Sequence, residues 1–286
     1  MCIRDRNNIE LKDDLKIYWN SFPIAHLIAG KDYLNPDIKL IIDDMIENSE
    51  QTELNKYLIS WINKKIKEEL SSLIELKNIE NQNPLIRGLA YRIYESNGVV
   101  KREEVKSFVN KLNQDERKIL RTQGVRFGRY HIFLYKLFKP KAVSLRTSLW
   151  KNFNQKYFDQ EPPPFGLNFV EGNKKLNQEF MLICGFEKFE TCYVRIDILE
   201  RLFLMIIGSN KNNSNEIKLV PEMLNLLGCN KENFVKLMKK MNYQSLIKDK
   251  EIYFKYILNR KFKKITPKKV TNEDNPFNIL KEIRIK

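Results

Sequence analysis

Apolar positions along the chain change period several times, and each change predicts an element. Lys16-Ile17-Tyr18-Trp19 and Phe22–Ile28 flank Asn20-Ser21 and stop at Gly30, which predicts a small β hairpin over Leu15–Ala29. Two strands alone are marginally stable, so this hairpin is expected to complete a sheet whose other strands lie elsewhere, upstream sequence included. From Thr52 the period lengthens. Leu54, Leu58, Trp61/Ile62, Ile66, Leu70 and Leu73/Ile74 recur at three-to-four spacing with Lys and Glu on the other face, as on an amphipathic helix. Pro84 opens a helix over Leu85–Ser96 that Asn97-Gly98 closes. Further helices are predicted over Lys101–Leu112 and Gln114–Thr122, then a turn at Gly124, then a helix after Pro140 through Leu145, Leu149 and Phe153. Residues 37–158 read as an all-α accessory domain.

Glu161-Pro162-Pro163-Pro164-Phe165-Gly166 cannot be helical and donates few backbone bonds, so 159–170 reads as an extended linker. Beyond it the pattern predicts a strand over Cys192–Ile196 and a helix over Asp197–Ile207 capped by Asp197. A polar loop follows at Asn210–Asn215. Helices over Pro221–Leu227 and Lys231–Met241 flank Gly228-Cys229-Asn230, and Ser245–Ile247 with Ile252–Ile257 would form a hairpin. Helix, helix-turn-helix, hairpin is the order of a winged helix, placed over 171–260 and followed by a basic tail at 261–286. The expected fold class is mainly α with small β elements: a helical bundle-like unit followed by a winged-helix-like α+β domain. Residues 1–36 read as an assembly scar, Met1–Arg6, joined to the hairpin of a truncated upstream domain.

Charge turns this framework into a candidate binder. The 286 residues carry a net charge of +15. Arg117–Phe158 holds 11 Lys/Arg and no Asp or Glu, and residues 231–286 hold 16 basic against 6 acidic residues, which leaves −6 for the remainder. Two basic surfaces on a mildly acidic body favour a polyanion. At the centre of the first lies Gly124-Val125-Arg126-Phe127-Gly128-Arg129-Tyr130-His131-Ile132-Phe133-Leu134. Arginine forks grip phosphate and aromatic rings stack on bases. The competing reading is an inter-helix turn whose aromatics are core and whose arginines face water. Candidate phosphate contacts are Arg126, Arg129, Lys139, Lys141 and Arg146, with Phe127 or Tyr130 as stacking rings. Lys236, Lys239 and Lys240 on the second helix of the pair, and Arg260, Lys261, Lys263 and Lys264 in the tail, extend the basic surface.

Catalytic patterns are not legible. There is no Gly-x-x-x-x-Gly-Lys-Ser/Thr loop, no Gly-x-Gly-x-x-Gly and no His-Glu-x-x-His. Asp43-Asp44 reads as an acidic pair at a helix start, favoured by the dipole. The four cysteines show no Cys-x-x-Cys spacing, and no apolar run approaches the roughly 20 residues of a membrane span. A reduced, cytoplasmic compartment and no membrane partner are expected.

Several stretches in order carry a resemblance: Trp19…Ile24-Ala25, Gly30-x-Asp32-x-Leu34-x-Pro36, Arg87-Gly88-Leu89-Ala90-Tyr91, Gly98-Val99, Gly124–Leu134, Lys139-Pro140-x-Ala142, Leu145-Arg146…Leu149-Trp150, Pro162-Pro163-Pro164-x-Gly166, Val194–Leu202, Leu226-Leu227-Gly228-Cys229 and Asn275-Pro276-Phe277. Together they resemble the C-terminal region of large alphaproteobacterial ATP-dependent helicases related to the mitochondrial degradosome RNA helicase. The resemblance implies RecA-like motor domains upstream that would hold ATP and Mg, with no cofactor in this chain. It implies a role as an accessory region that binds single-stranded RNA or DNA and docks on the motor; a nuclease is a further partner to test. None of the family's Walker A, Asp-Glu-x-His or arginine-finger motifs matches a position here, so no catalytic residue carries over. The alternative is a protein-interaction scaffold without direct nucleic-acid contact. A free-standing winged-helix regulator would leave the helical unit without a role.

Overall fold

Between Ile9 and Leu40 the side chains that point inward alternate with those that point out, and four short strands result. The computed structural model describes residues 8–41, 47–79, 83–155, 159–172, 176–209, 216–248 and 251–257. Strands β1 (Ile9–Leu11), β2 (Lys16–Trp19), β3 (Phe22–Asp32) and β4 (Asn35–Leu40) form an antiparallel sheet in sequence order. The predicted hairpin is therefore completed from within this chain, by β1 and β4. Pro36 hides β4 from a pattern search, yet Pro36, Ile38 and Leu40 are buried while Asn35, Asp37 and Lys39 face water. A proline is tolerated there because β4 is an edge strand. Asp32 fixes the turn by accepting from the Leu34 N–H at 2.9 Å.

Helices α1 (Asn48–Glu69), α2 (Ser71–Lys77) and α3 (Pro84–Glu95) follow, then β5 (Val99–Lys101), α4 (Lys106–Lys111) and α5 (Gln114–Thr122). Asn113 and Glu116 close a capping box at the start of α5. Strands β6 (Val125–Phe127) and β7 (His131–Leu134) come next, then a 3₁₀ turn at Tyr135–Phe138 and helix α6 (Pro140–Phe153). The order β5-β7-β6 makes a second antiparallel sheet. Helix α6 is buried on nearly every side, from Ala142 to Asn152, and Asn152 Nδ2 donates to the Ile28 carbonyl at 2.9 Å. It is the central post of the N-terminal half.

The remainder comprises β8 (Phe169–Glu171), α7 (Gln178–Ile183), β9 (Phe186–Phe189), β10 (Cys192–Arg195), α8 (Ile196–Ser209), β11 (Glu216–Lys218), α9 (Pro221–Leu227), α10 (Lys231–Lys240), β12 (Tyr243–Lys248) and β13 (Glu251–Tyr256). Strands β8-β10-β9 form a third sheet and β11-β13-β12 a fourth. From α8 onward the elements run helix, strand, helix, helix, hairpin. Asn230 caps α10 by accepting from Asn233, and Gly228 ends α9 in the left-handed region at φ +69°.

With about 49% of the described residues in helix and about 26% in strand, the latter in four small antiparallel sheets, the fold is mixed α+β, not mainly α with a helical bundle. Residues 37–158 are not all-α, because β4, β5, β6 and β7 interrupt them. Of the helix expected over Lys101–Leu112, Lys101 instead ends the strand Val99–Lys101, and the helix begins only at Lys106. The expected polar loop at Asn210–Asn215, the Asp43-Asp44 pair, Met1–Arg6 and Asn275-Pro276-Phe277 lie outside the described residues.

Two large cores result. One gathers buried apolar side chains from Ile9 to Leu149, the other from Cys192 to Phe254. Two smaller clusters bridge them: Trp150, Phe180 and Tyr193 in one, and Val99, Phe133, Phe138 and Ile196 in the other. The β5–β7 sheet sits at this junction. Among the described residues no helix is long and apolar enough to cross a membrane.

Candidate nucleic-acid interface

The Gly124 segment is a β hairpin, and its backbone explains its glycines. Gly124 has φ +89°, where a side chain is strained, and turns the chain from α5 into β6. Pairing of Val125 with Leu134, Arg126 with Phe133 and Phe127 with Ile132 buries Val125 and turns Arg126 outward. At the tip, the Gly128 N–H donates to the His131 carbonyl at 2.8 Å. Arg102, the residue after β5, clamps the tip: its N–H donates to the Tyr130 carbonyl at 2.8 Å and its Nη1 to the Gly128 carbonyl at 2.6 Å.

Three successive N–H groups then point at one carboxylate. Arg129 and Tyr130 donate to Glu200 Oε2 and Oε1 at 2.5 and 2.9 Å, and His131 donates to Oε1 at 2.7 Å. Such a run of backbone N–H groups is an anion nest, and here α8 fills it. Gly128 makes room: a Cβ at that position would lie 2.4 Å from the Glu200 carboxyl carbon.

Beside the nest, His131 is buried at 3% exposure between two glutamates. Nδ1 lies 3.4 Å from Glu200 Oε1 and Nε2 3.4 Å from Glu187 Oε2. Lys101 Nζ completes the group, 2.8 Å from Glu187 Oε1. Burial pulls the His131 pKa down, but the bonds and charges of Glu187 and Glu200 outweigh it and hold the ring above the usual imidazole value. Burial pushes Glu187 up, and His131 with Lys101 outweigh that to hold it below the usual carboxylate value.

Around this joint opens a cleft of about 910 Å³ between the hairpin and α8. Its cations are Arg102, Lys106, Arg121, Arg126, Arg129 and Arg201; its carboxylates are Glu103, Asp197 and Glu200. Two of those carboxylates are occupied, Glu200 by the nest and Asp197 by a two-pronged bond from Arg195 at 2.8 Å. Among the described residues, Arg121, Arg126, Arg129 and Arg201 form no ion pair. Three of the four instead lie against rings: Arg126 is 4.8 Å from the Tyr135 centroid, Arg129 5.5 Å from Tyr256 and Arg121 5.7 Å from Phe127. Positive charge with aromatic faces and little compensating acid suits phosphates and unstacked bases.

The structure brings Arg126, Phe127, Arg129 and Tyr130 to this cleft and does not bring the other described candidates. Arg146 is a correction. It is fully buried, donating from Nη1 to the Asn97 carbonyl at 3.1 Å and from Nη2 to the Ile183 carbonyl, so it cannot meet a strand. Tyr130 is half-buried with its ring 4.6 Å from Phe203, and burial pushes its hydroxyl pKa up to about 12. It is a packing ring of the joint, and Phe127 likewise packs on the N-terminal core. The rings with more free surface are Tyr135 and Tyr256, which the sequence reading missed. Their signal was the end of an apolar strand run, visible only once the strands are known. Lys139 is exposed at the start of α6, and Lys141 lies by a separate small cavity with Lys65 and Ser148. Lys236, Lys239 and Lys240 are exposed on α10 away from the cleft, and Lys240 pairs with Glu190. Arg260, Lys261, Lys263 and Lys264 lie outside the described residues.

Among the described residues no group of His, Cys, Asp and Glu is arranged to hold a metal ion. No protein-family model matches the chain. No curated protein matches it, and no solved structure does.

Proposed function

We propose that the chain is an accessory nucleic-acid-binding region that holds single-stranded RNA or DNA in the cleft between the hairpin and α8. The observation that carries this reading is the set of cleft arginines without carboxylate partners among the described residues, three of them laid on aromatic rings. Arg126 and Arg129 are the phosphate contacts, with Arg121 and Arg201 beside them, and Tyr135 and Tyr256 are the stacking faces. The helicase setting rests on the sequence resemblance: motor domains in the same parent chain would hold ATP and Mg, and the region would dock on them.

The test is a salt titration of oligouridylate and oligothymidylate binding, by the native chain and by an Arg126→Ala/Arg129→Ala variant. Each phosphate contact on a single strand contributes about 0.7 to the slope of log K against log salt, so the variant should lose about 1.4. Its unfolding free energy should stay within the roughly 0.5 kcal/mol of the native value that is typical of surface changes. An unchanged slope would sink the reading.

A second reading, a protein-docking scaffold, is favoured by Leu204 and Ile207, which line the same cleft at 71% and 53% exposure. Absence of strand binding by the native chain, together with loss of a motor-domain contact in Leu204→Ser, would select it.

A further inference from the structure

We infer that Glu200, braced by His131 and Glu187, is a positioning residue for the strand-binding hairpin, so that loosening this buried cluster weakens the grip on the strand. The inference rests on the strand-binding reading and concerns how that site is regulated. Arg126 and Arg129 sit on β6 and the tip of its hairpin, whereas α8 and Tyr256 make the facing wall. Glu200 is the polar link across: one carboxylate from α8 takes three N–H groups of the tip and also meets His131. Because the accepting group is buried and its donors are consecutive, the tip cannot shift without breaking several bonds together.

The charge count makes the link conditional. The groups facing His131 are Glu187 from β9 and Glu200 from α8, with Lys101 from β5 behind Glu187. With His131 protonated the four side chains sum to zero; with it neutral, one negative charge is left uncompensated among buried groups. His131 is held above its ordinary value, so its contribution is complete below that value and is lost as pH rises through the raised one. Glu187 is held below its ordinary value, so its contribution is complete above that value and is lost as pH falls through the depressed one. The joint is therefore tightest from just above the carboxylate range to the imidazole range. Arginine does not titrate between about pH 6 and about pH 9, so a loss of affinity across that interval reports the joint and not the phosphate contacts.

The experiment measures oligouridylate binding by the whole chain across that interval at fixed salt. Native protein, Glu187→Gln and Glu200→Gln are compared, with near-ultraviolet circular dichroism as the check on folding. Backbone amide signals of Arg129–His131 are followed in parallel without strand. Native affinity should fall about fivefold or more as pH rises, a typical coupling between linked sites. Glu187→Gln should flatten that profile and keep the salt slope. Glu200→Gln should bind about fivefold more weakly at the low end. The amide signals should move over the same pH interval as the affinity. A native chain that binds strand equally well at every pH overturns the positioning role alone, as does Glu187→Gln keeping the native profile. Tighter binding by Glu200→Gln also overturns it, since the three N–H groups would then be a phosphate seat that Glu200 blocks. Absence of strand binding at every pH overturns the strand-binding reading and this inference with it.

Discussion

Arg146→Ala is expected to cost about 3–5 kcal/mol of stability, the range for emptying a large buried site, and to leave the salt dependence of strand binding unchanged. The side chain is fully buried in α6, and its two donors reach the Asn97 carbonyl just past α3 and the Ile183 carbonyl at the end of α7. Helix C-termini carry partial negative charge, which is why a guanidinium without a carboxylate partner can sit there. Burial still lowers its pKa, so the site tolerates the charge at a cost. Truncation to alanine leaves a cavity and two unpaired carbonyls, each of the latter worth about 1–3 kcal/mol. Arg146→Met keeps most of the volume and removes the charge, so its loss should be the smaller of the two. Urea unfolding of both variants, beside a salt titration of whatever remains folded, decides the matter. A surface phosphate contact would give the opposite result: native stability and a slope lower by about 0.7.

Arg146 also shows where sequence reading fails. Its place in Arg117–Phe158, a stretch with 11 basic residues and no acid, made it look like part of a surface. A helix surrounded on all sides can meet carbonyls in place of water, and no spacing rule separates the two cases. Helices with ordinary signals were legible: Pro84, Pro140 and Pro221 each open one, and Asn230 caps one through its side chain, whereas the short helix that Asn177 caps, Gln178–Ile183, formed no part of the expected pattern. The short strands were not. Val99–Lys101, Val125–Phe127 and Glu216–Lys218 are three residues each, too short to show a period of two, and the first and last of them pair with strands far along the chain. At the site, the Gly-Arg-aromatic cluster was visible, and the two readings offered for it divide along its atoms. The backbone of Gly128–His131 is the intramolecular joint, while the side chains of Arg126 and Arg129 face the cleft. Glu200 was invisible as a partner because nearly 70 residues separate it from the nest it fills.

Gly128→Ala is the substitution that tests this division most sharply. Gly128 does not have the positive φ of Gly124, so its backbone imposes no strain on a side chain. The constraint is space. An added Cβ would stand 2.4 and 2.5 Å from the Glu200 carboxyl atoms and 2.6 Å from the His131 carbonyl oxygen. The carboxyl end is flexible, but moving it sacrifices the bonds from Arg129, Tyr130 and His131; the carbonyl belongs to the hairpin's own closing bond with the Gly128 N–H. Hydrogen bonds to a charged group contribute about 1.5–3 kcal/mol each. Losing two or more should lower stability by about 3–5 kcal/mol, because the buried carboxylate is left short of donors. The hairpin should lose its pose at the same time, so strand affinity should drop although every arginine remains. Amide exchange at Arg129–His131 should accelerate first. Native melting with native affinity would mean that Glu200 does not hold the tip, whereas native melting with lost affinity would mean that it positions the arginines without supporting the fold. Paired loss of both is the outcome that the geometry of one carboxylate on three amides requires.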